Sequence, residues 1–494
     1  MKSETKKTDY DVIVVGAGNG ALVGALSAHE MGADVAVLEV APRESRGGNC
    51  YFTGGGFRVP LKGLAEFREL VPDVSDAEAK LMDVDPYTAD QFYNIWMRLS
   101  DGLADPELVE KVITNANPTI RWMGQQGVVW EPYVVRAVQV KGRYKWVPGN
   151  IVIGAKGEGA GLSDMLFDSV EKRGIDVHYE TKAIKLLVDS KGRVCGVTVK
   201  DNEGFRDIRS RAVILACGGF ESNREMRAKY LGSIWELARG RGTRFNMGVG
   251  IKMALEIGAQ PAGQWSKCHG TVIDSKAPCF GDPAMGDKTS RGSYPYGIMV
   301  NIHGERFADE GEDIRQFTYA KMGEAALMQP QGLAFQIFDS TVDETLFEAR
   351  YKHSSSTKAN SFKELAEKLG INASSLIKTV DEYNAAVQEG PYDPLKKDGK
   401  HTVGIHPPKT NWAKKLESPP FLAYSVTGGI TFSYGGIKIN TNAQVIDTEN
   451  KVIPGLYAAG EIVGGLFYHN YPGGTCLMAG AVFGRLAGIG AAQE

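Results

Sequence analysis

The sequence predicts an α/β fold, with strand and glycine-turn signals near both ends of the chain and a helical segment of different composition between them. Three observations support this prediction. A β-branched run near residue 11 leads into a glycine-rich turn and an apolar-periodic stretch, and a second strand signal with a glycine turn occurs near residue 453. Residues 358–400, in contrast, are rich in Lys and Glu with helical periodicity. The middle of the chain therefore differs from its glycine-rich ends.

Composition limits the classes of function. The chain has 494 residues, of which 43% are hydrophobic and 23% charged, with a formal net charge of -3. This is an ordinary globular composition, with more length than a single core needs. Because the chain has no basic excess to attract nucleic acid or anionic lipid, we expect a small-molecule substrate and no nucleic-acid partner. The six cysteines are far apart and lack metal-ligand spacing, so no metal site is expected.

The chain carries no recognisable targeting signal. Its start is polar, and the first apolar run, residues 12–15, is too short for a signal sequence. No stretch approaches the roughly 18 uninterrupted apolar residues of a transmembrane helix. We therefore expect a cytoplasmic protein without a transmembrane segment.

The first glycine-rich turn has the pattern of a dinucleotide-binding site. Residues 11–15 predict a strand, and Gly16-Ala-Gly-Asn-Gly-Ala21 predicts a tight turn that opens a helix. In this pattern the glycines let the backbone turn and approach a pyrophosphate at the helix N-terminus. Glu39 ends the second predicted strand about 20 residues later, where an acid binds a ribose. The predicted cofactor ligands in this region are Gly16, Gly18, Asn19, Gly20, Ala21 and Glu39.

FAD and NAD share this half-site, so the choice between them depends on the rest of the chain. Residues 453–461 resemble the second flavin motif of two-dinucleotide-binding-domain flavoproteins, in which a strand leads into Gly-Glu or Gly-Asp at the ribityl chain. A predicted helix from Gly159 and a predicted strand over residues 212–216 fit the same fold. We therefore predict a Rossmann-like FAD-binding domain with FAD as its cofactor. The other predicted FAD ligands are Gly47, Gly48, Asn49, Gly54, Gly55, Ala183, Ala216, Gly218, Gly460, Glu461 and Leu477.

Three stretches carry a family resemblance: Arg46-Gly-Gly-Asn49, residues 299–310 and residues 464–474. Over nearly its whole length the chain resembles the flavoproteins related to fumarate reductase and succinate dehydrogenase. This family also holds 3-ketosteroid dehydrogenases and tricarballylate dehydrogenase, and the chain looks most similar to tricarballylate dehydrogenase. The resemblance implies an FAD-binding domain, residues 1–269 and 418–494, interrupted by an α+β capping domain, residues 270–417. Substrate would lie between the two domains, against the isoalloxazine ring.

The chain departs from fumarate reductase at the dicarboxylate ligands. Thr431 and Phe432 replace the paired histidines of the family, and Tyr471 replaces an arginine. We therefore do not expect fumarate as the substrate. Tyr471-Pro-Gly-Gly474 resembles the element with which ketosteroid dehydrogenases hold a carbonyl oxygen, which implies that a phenol and a backbone N–H together stabilise an enolate. Because the same element occurs in tricarballylate-dehydrogenase-like proteins, it does not separate a ketone from a carboxylate.

A proton must move on the face of the substrate opposite the flavin while a hydride passes to or from the flavin. The family places the proton-transfer group just after the Asp-Glu of its central motif, which here is followed by residues 311–319. Arg315 is the first candidate and Tyr319 the second, and the two would share a face if the segment is helical. Since the pKa of arginine exceeds about 12, Arg315 either relays a proton or binds an anion.

Other residues are predicted to bind substrate. His269 matches by position a family histidine that contacts a carboxylate, and Arg291 resembles another anion ligand. Both residues in one pocket would favour an anionic substrate. The full predicted set of substrate ligands is His269, Arg291, Gly474, His469, Phe432 and Tyr51.

Together these residues predict an FAD-dependent oxidoreductase that desaturates, or in reverse reduces, a carbon–carbon bond next to a carboxylate or carbonyl. Desaturation of a carboxylate, as in tricarballylate dehydrogenase, is the leading prediction, and desaturation of a cyclic ketone or 3-ketosteroid is the alternative. FAD is expected to be non-covalent, because residues 49–53 contain no histidine. A separate quinone, electron-transfer protein or oxygen is expected to exchange electrons. Two other classes stay open, namely a flavin electron carrier without an organic substrate and an NAD-dependent dehydrogenase.

Overall fold

The computed structural model describes residues 8–146, 149–342 and 349–494. The strands are β1 (Tyr10–Val15), β2 (Val35–Leu38), β3 (Gly56–Phe57), β4 (Met82–Asp83), β5 (Trp130–Pro132), β6 (Ala137–Val140), β7 (Arg143–Trp146), β8 (Ile153–Ala155), β9 (Asp176–His178), β10 (Lys182–Val188), β11 (Val194–Asp201), β12 (Gly204–Leu215), β13 (Arg239–Gly240), β14 (Pro261–Asp274), β15 (Ile298–Asn301), β16 (Ala334–Phe338), β17 (Thr357–Ala359), β18 (Phe421–Ile437), β19 (Gln444–Ile446) and β20 (Val452–Ala458). The α-helices are α1 (Asn19–Glu30), α2 (Leu64–Leu70), α3 (Asp76–Ala79), α4 (Ala89–Leu99), α5 (Pro106–Gln125), α6 (Glu158–Lys172), α7 (Arg224–Leu231), α8 (Val249–Glu256), α9 (Tyr319–Leu327), α10 (Phe362–Leu369), α11 (Ala373–Ala386) and α12 (Thr475–Ala492).

The larger sheet has eight strands within the described residues and a parallel centre. β1 lies between β2 and β12, and Val14 pairs with Val37 on one side and Ile214 on the other. β20, from the far end of the chain, adds to β12 in parallel. The carboxyl ends of these four strands meet at one edge, where doubly wound sheets bind their ligands. The predicted α/β class is confirmed, and both ends of the chain contribute to this sheet.

Helix α12 covers the sheet by packing closely on α1. An added Cβ at Gly484 would overlap the carbonyl oxygen of Gly20, and one at Gly488 would overlap that of Gly24. Only glycine allows two helix backbones to approach this closely. By length and composition α12 could cross a membrane, but 67% of it is buried inside the protein, as in a core helix of a globular domain.

The second sheet has six strands within the described residues. Its long strands β14 and β18 pair antiparallel, and their register places His269 opposite Phe432. β13 pairs in parallel with β18, with Gly240 opposite Ile430. The predicted domain boundary between residues 269 and 270 falls inside β14, and the one between residues 417 and 418 falls just before β18. The second sheet therefore includes strands from all three predicted segments.

The segment that follows the central motif is not one continuous helix. Arg315–Phe317 forms a single 3₁₀ turn, Thr318 has a φ of -125°, and α9 begins at Tyr319. A shared helical face therefore does not relate Arg315 to Tyr319, although their side chains meet by another route described below.

Candidate active site

A cleft runs along the carboxyl edge of the first sheet. The turn after β1, the end of β2, the loop after β12 and the turn after β20 form its walls. The predicted cofactor ligands that line it are Gly16, Gly18, Asn19, Gly20, Glu39, Gly48, Asn49, Ala183, Ala216, Gly218, Gly460 and Glu461. Most of the predicted set therefore lies in one place.

Five predicted cofactor ligands do not line this cleft, and two of them, Gly54 and Leu477, line the second cavity described below. Ala21 is fully buried within α1, where its small side chain serves helix packing. Gly47 and Gly55 have φ of 100° and 66°, and an added Cβ would overlap Ser163 at the first and the backbone of Glu158 at the second. We correct the predictions for Ala21, Gly47 and Gly55, because the first packs within a helix, the other two shape loops, and none of them lines the cleft.

The cleft fits a dinucleotide. Asn19, in the first turn of α1, has a buried Oδ1 with no partner among the described residues, so a donor from a ligand fits there. Gly460 has a φ of 79°, and no heavy atom lies within 4 Å of a Cβ added to it, which leaves its backbone open to the cleft. FAD bound by these residues would supply the hydride acceptor or donor.

Glu39 lies buried at the end of β2 and lines the cleft. Its Oε1 accepts a hydrogen bond from the backbone N–H of Ala41 at 2.7 Å. Burial raises the pKa of Glu39 from its ordinary value of 4.5 to about 7, with backbone N–H groups acting in the opposite direction. Ribose hydroxyls are the partners that this position takes in dinucleotide-binding folds.

Glu461 forms a carboxyl pair with the fully buried Glu221. The side-chain amides of Asn49 and Asn246 donate to Oε1 of Glu221 at 2.6 and 2.5 Å, and the backbone N–H of Ser433 donates to Oε1 of Glu461 at 3.0 Å. Burial, followed by the charge of Glu221, raises the pKa of Glu461 well above its usual range. We therefore expect the pair to hold a proton at neutral pH.

A second cavity opens directly from the cleft. The residues that line both are Asn19, Gly20, Asn49, Cys50, Gly460 and Glu461. The predicted residues that line the second cavity are Gly54, His269, Tyr319, Phe432, Tyr471, Gly474 and Leu477. A cofactor in the cleft and a small molecule in the cavity would therefore meet at the shared residues.

Four rings form an aromatic cluster in this cavity, with His269 at its centre. The His269 ring stacks on Phe432 at 5.1 Å between centroids and meets Tyr319 and Tyr471 edge-on at 4.8 and 5.1 Å. Burial lowers the pKa of His269 well below its ordinary value, so the imidazole is neutral. Its Nδ1 has no partner in the part of the chain that the structure describes. His269 can therefore exchange one hydrogen bond with a ligand.

Tyr471 and Gly474 are bonded to each other. The backbone N–H of Gly474 donates to the phenol oxygen of Tyr471 at 2.8 Å, and the Nε of Arg58 fixes the turn by donating to the carbonyl of Gly473 at 2.7 Å. The prediction that the phenol and the N–H both point at a substrate oxygen needs correction. The N–H is already bonded to the phenol oxygen, so of the two donors only the phenol proton can serve a substrate oxygen.

Arg315 and Tyr319 are in contact although no continuous helix joins them. The guanidinium of Arg315 lies 4.8 Å from the centroid of the Tyr319 ring. Tyr319 lines the cavity and Arg315 does not. Burial raises the pKa of Tyr319 to about 12, while the charge of Arg315 acts in the opposite direction. Tyr319, the second candidate, therefore lies in the wall of the cavity, and Arg315 contacts Tyr319 from outside the cavity lining.

Three predicted substrate ligands lie outside the described cavities, which corrects those predictions. Arg291 is buried and its guanidinium is bound by Asp274 at 3.0 Å and by backbone carbonyls. His469 has a φ of 57° and an exposed side chain near Asp101. Tyr51 packs against Phe52 instead of facing the cavity.

Sequence reasoning missed four polar residues that line the cavity: Tyr133, Arg136, Arg241 and Asp287. Nη1 of Arg241 donates to the Thr431 hydroxyl at 3.1 Å, and both Arg241 and Arg350 bind the Asp287 carboxylate. Tyr133 and Arg136 belong to one short turn, Arg241 and Asp287 come from two other segments, and none of the four belongs to a recognisable motif. Thr431 was recognised only as the replacement of a family histidine.

Proteins of known activity resemble this chain over its whole length. The NADH:fumarate oxidoreductase of Klebsiella pneumoniae is 28% identical over 98% of this chain, which spans 48% of that protein's length. The vinyl phenol reductase of Lactiplantibacillus plantarum is 29% identical, covering 99% of this chain and 97% of that protein. The open conformation of a flavocytochrome c3 fumarate reductase matches with a TM-score of 0.72 and 26% identity, covering 98% of this chain and 78% of that one.

The fold and the two joined cavities, with these relatives, define an FAD-dependent oxidoreductase that acts on CH–CH groups. The family model described as FAD binding domain matches residues 11–477. The chain belongs to this family, and its predicted relation to the fumarate reductase flavoproteins is confirmed.

Proposed function

We propose that the protein desaturates a CH–CH unit next to a carboxylate, as tricarballylate dehydrogenase does, or reduces the corresponding enoate. The observation that carries this proposal is the position of Tyr319 and Tyr471 around neutral His269, in the cavity that joins the cofactor cleft. A base and a hydroxyl donor beside the flavin are the groups that removal of an α proton and a β hydride requires.

Each residue has a distinct role in this proposal. Tyr319 lines the cavity as a neutral phenol, because burial raises its pKa to about 12, so in the reductive direction it gives its proton to the α carbon of an enoate. In desaturation it takes the α proton after its own phenol proton has been released to solvent, a loss that the charge of Arg315 favours. Tyr471 donates its phenol proton to the oxygen on which enolate charge develops, and the N–H of Gly474 strengthens that donor by bonding to the phenol oxygen. FAD held by the residues of the cleft would supply the hydride acceptor.

The charges of the cavity support a carboxylate over a ketone. Arg136 and Arg241 line it, whereas the carboxylate of Asp287 is already bound by Arg241 and Arg350. Guanidinium groups on the wall of a buried cavity stabilise an anion that enters it. A neutral cyclic ketone would gain less from the same groups.

The cavity also supports an enzyme over a flavin electron carrier. A carrier has no need of an interior space lined by His269, Tyr319 and Tyr471 beside its flavin. The electron partner stays a prediction, and we expect a quinone, a separate electron-transfer protein or oxygen to serve. A cytoplasmic location is likewise a prediction.

Anaerobic stopped-flow spectroscopy tests the proposed function. The purified flavoprotein is mixed with tricarballylate, other polycarboxylates and a panel of cyclic ketones, and the flavin absorbance near ~450 nm is followed. Bleaching by carboxylates alone is the expected result. If no compound bleaches it, chemically reduced protein is offered enoates and enones, and reoxidation by enoates assigns the reverse direction. The proposal is overturned if carboxylates do not bleach the oxidised flavin and enoates do not reoxidise the reduced flavin.

Desaturation of a cyclic ketone is the second candidate. The bond between Tyr471 and Gly474 favours it, since a polarised phenol is suited to a single carbonyl oxygen. Bleaching by ketones and not by carboxylates in the same experiment would select this alternative.

A further inference from the structure

Arg241 is held at the wall of the cavity by bonds on three sides. Its backbone N–H donates to the carbonyl of Ile430 at 2.8 Å, which continues the pairing of β13 with β18. Nη1 donates to Thr431, and Nη2 binds Asp287. The guanidinium is therefore fixed in one orientation before any ligand arrives.

One donor of this guanidinium is unused. The Arg241 side chain is only 9% exposed, and its Nε has no hydrogen-bond partner among the described residues. A buried N–H on a charged group is unfavourable when it has no hydrogen-bond partner. Because Arg241 lines the substrate cavity, a ligand atom there can supply the missing acceptor.

The carboxylate next to Arg241 is shared between two arginines. Asp287 accepts bonds from both Arg241 and Arg350, and it leaves Nε of Arg241 without an acceptor among the described residues. A ligand carboxylate is a suitable acceptor for that remaining donor, because hydrogen bonds between ionised partners are the stronger ones.

We propose that Arg241, oriented by Thr431 and Asp287, is a specificity-determining residue that binds a carboxylate of the substrate through Nε. This inference rests on the proposed function and deepens it. Thr431 and Phe432 are adjacent on β18, and His269 lies opposite Phe432, so the anion site adjoins the aromatic cluster. The substrate class is a compound with at least two acidic groups. One group activates the CH–CH unit at Tyr471, and the other is bound at Arg241.

The test separates binding from turnover. Malonate is a suitable probe because it has two carboxylates but no CH–CH unit to desaturate, and malonamide is its uncharged counterpart. Each is titrated into the oxidised flavoprotein while the flavin difference spectrum is recorded. The variants are Arg241→Met, Arg241→Lys and a matched control, Arg239→Met. Arg239 is the other arginine of this β13 region, binds the carbonyl of Ala277 and lines neither described cavity.

Loss of a charge-assisted hydrogen bond predicts that Arg241→Met weakens malonate binding about 10- to 100-fold. Arg241→Lys should recover part of the affinity because it keeps the charge but not the planar fork. Malonamide binding should change little, and Arg239→Met should bind malonate as the unaltered protein does.

Three outcomes overturn the inference: no malonate binding to the unaltered protein, unchanged malonate affinity in Arg241→Met, or equal loss for malonate and malonamide, which would indicate a purely structural role. If malonate binds through Arg241 but no carboxylate or enoate exchanges electrons with the flavin, the anion site stands and the proposed function fails. The two proposals can therefore fail separately.

Discussion

The backbone N–H of Gly474 donates a hydrogen bond to the phenol oxygen of Tyr471 across 2.8 Å, and the N–H of Cys476 approaches the same oxygen at 3.4 Å. With its lone pairs engaged by two N–H groups, the phenol oxygen is a poor acceptor for anything else. Its proton is therefore the part that can serve a ligand. The turn at Gly473 and Gly474 thus makes Tyr471 a donor.

Tyr471→Phe removes that donor. We expect flavin reduction by a carboxylate substrate to slow by about 10²–10³-fold, the usual loss when one oxyanion donor is removed. Stopped-flow rates at saturating substrate give the comparison. Tyr434→Phe is the matched control, since the Tyr434 hydroxyl is buried without a partner among the described residues and does not line the cavity. A loss confined to ketones would favour the ketone alternative instead.

Arg315 and Tyr319 are expected to act as a unit. Tyr319→Phe should slow flavin reduction by about 10²–10⁴-fold, as expected for loss of a general base. Arg315→Met should slow it less, because Arg315 acts by favouring the phenolate of Tyr319. In the double variant the Arg315 change should cause almost no further decrease in the rate of flavin reduction. A full additional loss there would show that Arg315 moves the proton itself.

Glu39 should make FAD binding depend on pH. Its pKa in the folded apoprotein is about 7, above the ordinary 4.5, so the folded state holds a proton more tightly than the unfolded chain. The resulting contribution to apoprotein stability is complete below about pH 4.5 and is lost as the pH rises through about 7. Ribose hydroxyls bind the carboxylate, so FAD affinity should rise by up to about tenfold per pH unit below pH 7 and then level off.

Fluorescence titration of the apoprotein with FAD between pH 5 and 8 measures this dependence. Glu39→Gln should bind weakly and without the rise, whereas Glu44→Gln, a change at an exposed acid in the following loop, should behave as the unaltered protein. An identical pH dependence in Glu39→Gln would show that another group controls binding.

Because α1 and α12 approach closely, we expect one added methyl group between them to lower the free energy of unfolding substantially. Gly484→Ala should lower the free energy of unfolding by about 1–3 kcal/mol, because the new Cβ overlaps the carbonyl of Gly20. Gly124→Ala in α5 is the matched control. The nearest heavy atom to its added Cβ is 3.6 Å away, so better helix propensity should raise stability by up to about 1 kcal/mol. Denaturant midpoints of the flavin-loaded proteins measure both changes, and equal midpoints would contradict the packing argument.

The cofactor cleft was the part of the site best predicted from sequence, because it is built from contiguous motifs. The turn from Gly16 to Gly20 and the pair Gly460-Glu461 each follow a strand directly, so their spacing alone placed them at the sheet edge. Glu39 follows from the same logic, because parallel strands end together. These residues were recognisable without knowledge of distant contacts.

The residues of the substrate cavity were harder to predict from sequence, because they come together only through strand pairing in the second sheet. Arg241 reaches the cavity through the pairing of β13 with β18, and nothing near it in sequence indicates that position. Arg291 occupies a plausible place in the chain, but Asp274 satisfies its guanidinium 17 residues earlier. A family match fixes position along the chain, whereas the fold decides whether an arginine lines the cavity, as Arg241 does and Arg291 does not.

The cofactor cleft is bounded by the turn at Gly16 on one side and the turn at Gly460 on the other. These two walls come from distant parts of the sequence, so both must be in place before the cleft is complete. β12 gains its partner β20, and the glycine-rich face of α1 is covered by α12, only when the later segment folds onto the earlier one. Formation of the cofactor cleft is therefore coupled to long-range pairing between the two parts of the chain.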